Sequence, residues 1–417
     1  MSVMKNYFFT PLLLSLFALS CTKDRVDEHY TFFRPVYATK ETVKTNIKSS
    51  APELLQNPGK LVIKDNILYL NDLDKGIHVI DISDPAQLKN IAFIHIPGCI
   101  DMAINGNYLY ADCYTDLEVL DITNPLQITV KQDLPGVFPH RFYNNFVADT
   151  TKVIRQWVRV DTVVSHRFSE TVDYSPRRDW MLFSASSALM TATGAGLGIS
   201  GSMARFAQLS QRLYTVSSDD LKVFNVTRED KPLFVKSVDL QNGNIETIFP
   251  YTDKLFIGSQ TGMFIYDAGN PDQPVKLGQF MHSRSCDPVI ADGRYAYVTL
   301  RSGSSCGGFS NQLDVIDINQ LTSPQLVKSY SLSAPAGLAK DGKFLLICDG
   351  KEGLKIMDAT HPAAVNLLGR VPGIDTYDVI AMNGTAFVVA KDGVYTIDYT
   401  NPAQPRILNR ILKTENK

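Results

Sequence analysis

One ten-residue pattern recurs along this chain of 417 residues and constrains its fold more than any other feature. It reads GIHVIDISDP at residues 76–85 and GVYTIDYTNP at residues 393–402, with five further copies between them. Successive copies start 40, 104, 42, 50, 41 and 40 residues apart. A period near forty with a turn in each unit is typical of propeller blades with four strands, although some helical repeats have similar periods.

Short turns between apolar runs favour strands over helices. Most copies follow a segment such as AINGNYLYAD (103–112) or AMNGTAFVVA (381–390), in which Asn-Gly favours a tight hairpin and the flanking residues suit strands. Each copy ends in a turn, usually DP or NP, and another apolar run follows. Each unit therefore has four strands, called here A, B, C and D. We predict an all-β fold: a seven-bladed β-propeller of four-stranded antiparallel blades over residues 58–413, with a large loop insert.

The two ends of the repeat region predict how the ring closes. Strand A of blade 1 is expected near Lys60, and QPRILNRIL (404–412) is expected to be strand D of blade 7. Because each of these blades has its own four strands, we expect the ring to close by packing, without a strand borrowed from the other terminus.

The repeat also indicates a family. The pattern G-[LIV]-x-[VI]-[IL]-D-[IA]-[ST]-[DN]-P resembles the LVIVD repeat, which occurs in bacterial propeller-like surface and secreted proteins. The resemblance covers roughly residues 58–413 and is weakest in the third and fifth copies. It implies a β-propeller and a surface lipoprotein, but it implies no activity, since one fold hosts many functions. No catalytic residue is carried over from the family.

An acidic residue occupies the sixth position of nearly every copy. An Asp shortly before a turn commonly accepts backbone N–H bonds and closes that turn, so we interpret these residues as structural. The seven positions are Asp81, Asp121, Asn225, Asp267, Asp317, Asp358 and Asp398.

The N-terminus predicts export. Residues 1–20 contain Lys5 and an apolar stretch that is too short to span a bilayer, which is typical of a signal peptide. The stretch ends in ALSC and resembles a lipobox, so we expect lipid on Cys21, a tether over residues 21–57, and a lipid-anchored protein at the outer membrane or cell surface. Simple secretion after cleavage nearby is the alternative.

Composition excludes one class of partner. The net charge is −2 and the basic residues are dispersed, so the sequence has no footprint for nucleic acid. We also find no motif for a cofactor.

The cysteines of an exported chain can form disulfides. If the hairpin turn of blade 2 contains Asn105, Gly106 and Asn107, then Cys99 and Cys113 face each other, whereas a two-residue turn would shift the register by one. We therefore expect a disulfide between Cys99 and Cys113. Cys286 and Cys306 occupy similar places in blade 5 and are a second candidate pair, and the alternative for both pairs is unpaired structural cysteine. Cys348 is expected to be a buried free thiol.

The gap of 104 residues between the second and third copies contains an insert at residues 140–203. VIRQWVRVDTVVSHRF (153–168) alternates like an added hairpin. GLGISG (196–201) matches G-x-G-x-x-G, but the strand and helix that would make it a nucleotide loop are missing, so we interpret it as a loop of small residues.

Strands in a blade alternate in direction, so the starts of strands A, the B–C loops and the D–A links share one face, called here the loop face. The insert and the long loop 301–311 both lie there, whereas the opposite face carries short turns. Four acids near the starts of strands A are expected around the mouth of the central channel: Asp101, Glu246, Asp287 and Asp378.

We expect function on this face, because binding residues usually lie on loops held by a rigid scaffold. The favoured hypothesis is a non-catalytic module that binds a protein or glycan. The alternatives are an extracellular enzyme of hydrolase or lyase type, with the four acids as acid and base, and an ion held by the same acids. No catalytic motif supports the enzyme.

Overall fold

The structure is a computed structural model that describes residues 25–139, 142–143, 146–147, 151–167, 181–182, 199–203, 205–240, 244–282, 288–302 and 310–414. The expected signal peptide and Cys21 lie outside the described residues, as do Cys286, Asp287 and Cys306. The described residues fall into two compact units, one drawn from Met1–Tyr37 and Ile154–Met190 and the other from Ala38–Val153 and Thr191–Lys417.

The larger unit contains seven antiparallel sheets, each with strands in the order A-B-C-D, as the repeat predicted. Strands A to D are Pro58–Lys64, Ile67–Asp72, Gly76–Asp81 and Lys89–His95 in blade 1, and Met102–Asn105, Tyr108–Cys113, Asp116–Asp121 and Thr129–Leu134 in blade 2. They are Phe206–Leu209, Arg212–Val216, Asp220–Asn225 and Leu233–Asp239 in blade 3, and Ile245–Tyr251, Lys254–Ser259, Gly262–Asp267 and Val275–Met281 in blade 4. Strands A to D are Val289–Asp292, Tyr295–Leu300, Gln312–Asp317 and Gln325–Ser331 in blade 5, and Leu338–Asp341, Phe344–Cys348, Leu354–Asp358 and Asn366–Val371 in blade 6. In blade 7 they are Thr376–Met382, Thr385–Ala390, Gly393–Asp398 and Arg406–Leu412. A 3₁₀ helix, Pro362–Ala364, precedes the last strand of blade 6.

Local turn chemistry sets the shape of each blade. The residue at the sixth position of every copy accepts the backbone N–H two residues later, at 2.8–3.0 Å, which confirms its interpretation as a turn residue. The A–B connections are two-residue loops, and the first loop residue of each has a positive φ; these residues are Asp65, Gly106, Ser210, Thr252, Gly293, Gly342 and Asn383.

This turn geometry corrects the expected disulfide between Cys99 and Cys113. Ile104 pairs with Leu109 and Asn105 pairs with Tyr108, so the turn has two residues. With three turn residues Cys99 and Cys113 would lie opposite each other, but the two-residue turn shifts the register by one residue and separates them. Both are free, buried thiols. Cys99 donates to the carbonyl oxygen of Asp101 at 3.5 Å, and Cys113 donates to that of Pro97 at 3.2 Å. The predicted pairing is therefore wrong in this structure, whereas Cys348 is the buried free thiol expected.

The core lies between the blades, where strands A, B and C of neighbouring sheets pack their apolar side chains together. Tyrosines also join neighbours: Tyr110 donates to the carbonyl oxygen of Glu229 at 2.9 Å, and Tyr214 to that of Pro271 at 2.8 Å. The ring closes in the same way, because Thr396 of blade 7 donates to the carbonyl oxygen of Pro85 in blade 1 at 2.6 Å. Blades 1 and 7 each keep their own four strands, so the predicted closure is confirmed.

Part of the segment expected to be a tether is ordered instead. Arg25–Thr39 is a strand, Lys40–Lys44 is a helix capped by Thr39, and Lys48–Ser50 pairs with strand D of blade 1 as a fifth strand on its outer edge. The reason is burial, because Val43 and Ile47 join the apolar cluster of blades 1 and 2.

The smaller unit contains a three-stranded sheet in which Arg25–Thr39 lies between Lys152–Arg167 and Met181–Leu182. The expected hairpin within residues 153–168 is therefore wrong: this sequence forms one long strand that pairs with the N-terminal strand. The insert also contains a short hairpin, Phe142–Tyr143 with Phe146–Val147. Within the described residues, no helix is long and apolar enough to cross a membrane.

Candidate functional site at the starts of the innermost strands

Equivalent positions in the seven blades can be assigned from strand register. In each blade one strand A residue pairs with a large residue of strand B; the pairs are Val62 with Tyr69, Ala103 with Tyr110, Ala207 with Tyr214, Phe249 with Phe256, Ile290 with Tyr297, Ala339 with Leu346, and Ile380 with Phe387. The residue two positions before each of these strand A residues lies at the loop-face end of strand A. In blades 1 to 7 these residues are Lys60, Asp101, Arg205, Thr247, Pro288, Gly337 and Asp378.

Four of these seven residues are ionisable, and they alternate in charge around one side of the ring. Asp378, Lys60, Asp101 and Arg205 belong to blades 7, 1, 2 and 3 in that order. Three of the four side chains are buried, since Asp378 is 1% exposed, Lys60 2% and Asp101 3%, whereas Arg205 is half-buried. Charges buried this deeply need compensating partners, so the alternation is a physical requirement rather than an accident of sequence.

Residues Ile199–Met203, called here the plug segment, lie against these charges. Ile199 and Ser200 pair antiparallel with Ile63 and Val62, on the inner edge of strand A of blade 1. Because strand A is innermost in its sheet, this extra strand lies within the central channel. The last described part of the insert before Arg205 therefore lies in the channel.

Three hydrogen bonds fix the plug segment to three different blades. Lys60 Nζ of blade 1 donates to the carbonyl oxygen of Met203 at 2.9 Å. The backbone N–H of Leu338 in blade 6 donates to Ser202 Oγ at 2.8 Å. The backbone N–H of Ser202 donates to the carboxylate of Asp378 in blade 7. The segment thus links the sheets on both sides of the point where the ring closes.

Asp378 is held closely between two glycines. A Cβ atom on Gly201 would lie 2.0 Å from Asp378 Oδ2, and one on Gly337 would lie 2.1 Å from Oδ1, so neither position has room for a side chain. The carboxylate also accepts the N–H of Val379 at 3.0 Å. Burial raises the pKa of Asp378 to about 7, although nearby Lys60 and the two N–H donors act in the opposite direction.

Asp101 is the second predicted acid that the fold brings to this end of the channel. Burial raises the pKa of its carboxyl well above the usual range, against the opposing charges of Lys60 and Arg205. Its Oδ1 accepts the backbone N–H of Met102 at 2.7 Å, which is the structural use of an acid at a strand start. Besides burial, the charges of Lys60, Asp112 and Arg205 act on its pKa.

Of the other two predicted acids, the structure describes only Glu246. Glu246 lies in a bulge between Ile245 and Thr247, is half-buried, and accepts a hydrogen bond from Gln260 Nε2 at 3.0 Å. Asp287 lies outside the described residues. The described residues contain no group of three or more His, Cys, Asp or Glu side chains placed to hold a metal ion.

Lys60, Arg205 and the plug segment were not predicted from the sequence as parts of the site. A signal for the two cations was present, because lining up the seven strands A places them at the same repeat position as Asp101 and Asp378. The sequence contains no such signal for the plug segment, because its partners are distant in the chain. Ser202 and Leu338 are 136 residues apart, and Lys60 and Met203 are 143 residues apart. The motif GLGISG ends in this segment at Gly201, and the next element is a strand, Phe206–Leu209, rather than the helix that a nucleotide loop requires.

The repeat itself is found by comparison with protein families. A model described as the LVIVD repeat matches residues 59–91, 99–133, 283–331 and 337–372. These ranges lie in blades 1, 2, 5 and 6. The chain is therefore a seven-bladed β-propeller that contains LVIVD repeats, and the resemblance seen in the sequence is confirmed. No curated protein matches the chain.

Solved structures share the fold at low sequence identity. A protein from Lactobacillus plantarum is 11% identical with a TM-score of 0.53, and the match covers 93% of this chain and 97% of that one. The periplasmic gluconolactonase PpgL of Pseudomonas aeruginosa is 11% identical with a TM-score of 0.50 and the same coverage of each chain. The computationally designed protein Ika8 is 12% identical with a TM-score of 0.51, covering 87% of this chain and 92% of that one. At these identities the comparison establishes the propeller and no activity.

Proposed function

We propose that the protein is an exported, lipid-anchored scaffold that binds a protein or glycan partner on its loop face and catalyses no reaction. The observation that carries this proposal is the occupation of the channel end by the chain itself. Asp101 and Asp378 face buried cations and backbone donors, and the plug segment contacts Asp378 directly.

The same observation weighs against the enzyme with a carboxylate pair. Such an enzyme needs two acids that reach one substrate, one to give a proton and the other to act as base or nucleophile. Here the two acids are 3% and 1% exposed, and Lys60 interacts electrostatically with both of them. A raised pKa at these positions is a consequence of burial beside fixed partners, which structural charge networks also produce.

The distribution of irregular sequence supports binding on the loop face. On the opposite face the blades have two-residue A–B loops and short C–D turns closed by the repeated Asp or Asn. The insert between Leu134 and Phe206 is a D–A link, so both of its ends lie on the loop face. A rigid ring that carries one long elaboration is the usual arrangement of a binding loop on a scaffold.

Export and anchoring remain part of the proposal and rest on the N-terminal sequence. A signal peptide at residues 1–20 followed by Cys21 would place the protein at the outer membrane or cell surface through lipid on that cysteine. The ordered segment from Arg25 to Ser50 would then connect the anchor to blade 1.

The experiment replaces residues 142–198 by a short Gly/Ser linker and keeps the plug segment. A tenfold shorter loop changes closure entropy by about 2 kcal/mol in the stabilising direction, so we expect a cooperatively folded propeller. Partners are captured from surface extracts with the full ectodomain and with the shortened protein. Loss of capture by the folded, shortened protein supports the proposal.

The matched control exchanges the blade 7 turn Asn401–Gln404 for the blade 2 turn sequence of Asn124–Gln127, on the face opposite the insert. This variant should capture the partner as the wild type does. Capture that survives the removal of residues 142–198 would place the binding surface elsewhere and overturn the proposal.

A further inference from the structure

We infer that the channel end is a binding site for an extended peptide that carries Gly followed by Ser, and that the plug segment Ile199–Met203 is its tethered occupant. The site would accept the same peptide from solution once the tethered copy is displaced. This inference goes beyond the proposed function, because it concerns the channel end and the plug segment, which the experiment above leaves in place.

Main-chain pairing supplies the first argument. The plug segment adds an antiparallel strand to the inner edge of strand A of blade 1, with Ile199 opposite Ile63 and Ser200 opposite Val62. Addition of a strand to a sheet edge is a common way for a domain to hold an extended peptide, with affinity from backbone hydrogen bonds and specificity from the side-chain positions.

The groups around Gly201–Met203 match the donors and acceptors of a peptide backbone. Lys60 supplies a cationic donor to a carbonyl oxygen, at 2.9 Å from Met203 O. Asp378 supplies an acceptor to the amide N–H of Ser202. Hydrogen bonds to charged groups are stronger than neutral ones. With the plug segment in place Lys60 and Asp378 are both buried, so the peptide backbone there meets a donor and an acceptor that are shielded from water.

Two contacts define which peptide fits. A side chain at the position of Gly201 would displace the carboxyl group of Asp378, because a Cβ atom there would lie 2.0 Å from Asp378 Oδ2 and 2.2 Å from its Cγ. The next position favours a hydroxyl, because Ser202 Oγ accepts the N–H of Leu338 at 2.8 Å and that N–H would otherwise be buried without this acceptor. The ligand class is thus an extended segment containing Gly-Ser.

The tether explains why the free protein would not bind such a peptide. Met203 is three residues before strand A of blade 3, so the plug segment is held beside the site by a very short connection. A short tether gives an effective concentration of about 1 mM or more, against which a weakly bound free peptide cannot compete.

The test uses the full ectodomain and a synthetic peptide of residues 198–203, GISGSM, with a fluorescent label and blocked ends. Gly201→Val is the variant that displaces the tethered copy. We expect the labelled peptide to bind this variant at least about tenfold more tightly than the wild type, by fluorescence anisotropy. The control peptide GISVSM should bind the variant at least about tenfold more weakly than GISGSM, because its Val meets Asp378.

A second variant keeps the inference testable if Gly201→Val does not fold. Ser202→Pro removes the N–H that Asp378 accepts and should also release the tethered copy. Absence of peptide binding by the folded variants, or equal binding of GISGSM and GISVSM, overturns the inference. These outcomes are independent of the capture experiment above, because the protein used there retains the plug segment and its readout is the partner.

Discussion

Lys60 Nζ lies 2.9 Å from the carbonyl oxygen of Met203, a residue 143 positions later in the chain. This hydrogen bond joins the first strand of the propeller to the end of its largest insert. Lys60 is 2% exposed, so its ammonium group needs buried acceptors and opposite charge to offset the loss of contact with water. Both are supplied here, because the carboxyls of Asp101 and Asp378 lie close enough to interact with it.

The raised pKa of Asp378 predicts a pH dependence of stability. Its pKa rises from the usual 3.8 to about 7 in the folded protein, so between these values the folded state binds a proton that the unfolded state has lost. Stability contributed by this group is present at low pH and is lost as pH rises from about 4 to about 7, by up to roughly 4 kcal/mol. Asp378→Asn should remove this loss, and urea unfolding at a series of pH values measures it.

The control for this prediction is Asp358→Asn, at a repeat position where blade 3 naturally has Asn225. The pKa of Asp358 is lowered, mainly by its hydrogen bond with Thr360, so its contribution changes only below the pH range tested. Its pH profile above 4 should therefore parallel that of the wild type. Parallel profiles for Asp378→Asn as well would contradict the burial of an ionisable group at the channel end.

Lys44 predicts a stability effect at the N-terminal helix. Its Nζ lies 2.7 Å from Asp116 Oδ2 and 2.6 Å from Asp133 Oδ2, with Glu118 Oε1 at 3.8 Å. Burial raises the pKa of Glu118 to about 8, while Asp116 has a pKa of about 2 because Lys44 and other donors outweigh its burial. Lys44→Met leaves the buried carboxyls without this cation and should lower the free energy of unfolding by about 3 kcal/mol in urea.

Lys64→Met is the matched control for this substitution. Lys64 pairs with Asp65, whose side chain is 79% exposed, so the pair contributes little. We expect a change within about 0.5 kcal/mol. A similar small change for Lys44→Met would show that the helix Lys40–Lys44 is not fixed by its charges.

The two cysteines of blade 2 should behave as protected thiols. Burial raises the pKa of both Cys99 and Cys113, which keeps them in the unreactive protonated form. In protein purified without reductant, iodoacetamide should label neither residue before denaturation and both afterwards, as detected by mass spectrometry of peptides. A linked pair of peptides containing Cys99 and Cys113 would show that the disulfide forms in the cell and that blade 2 differs there from this structure.

The anchor is tested at Cys21. Metabolic labelling of cells with a fatty-acid analogue should mark the wild-type protein and leave Cys21→Ala unmarked. Labelling of Cys113→Ala, which keeps the lipobox-like sequence, should equal that of the wild type. Equal labelling of Cys21→Ala and wild type would exclude this cysteine as the lipid attachment site.

At the candidate site, the sequence predicts the position of a residue in its blade but not the environment of its side chain. Asp101 and Asp378 could be placed at the starts of strands A because the repeat fixes their position in a blade. Their environment could not be predicted, because burial depends on the plug segment, which reaches them across the channel. The error at Cys99 and Cys113 had a smaller cause: one residue more or less in a turn reverses which residues face each other, and Asn105-Gly106-Asn107 permits either count.

The sequence by itself determined the blades. Turn residues such as Gly106 and Asp398 act on their own neighbours, and the alternation of apolar runs and turns repeats at a fixed interval, so four strands per unit and seven units follow from local chemistry. Only the tertiary structure decided what occupies the channel. The contacts of Lys60 with Met203 and of Ser202 with Leu338 join residues far apart in sequence, and their energy depends on burial, which exists only once the ring has closed around them.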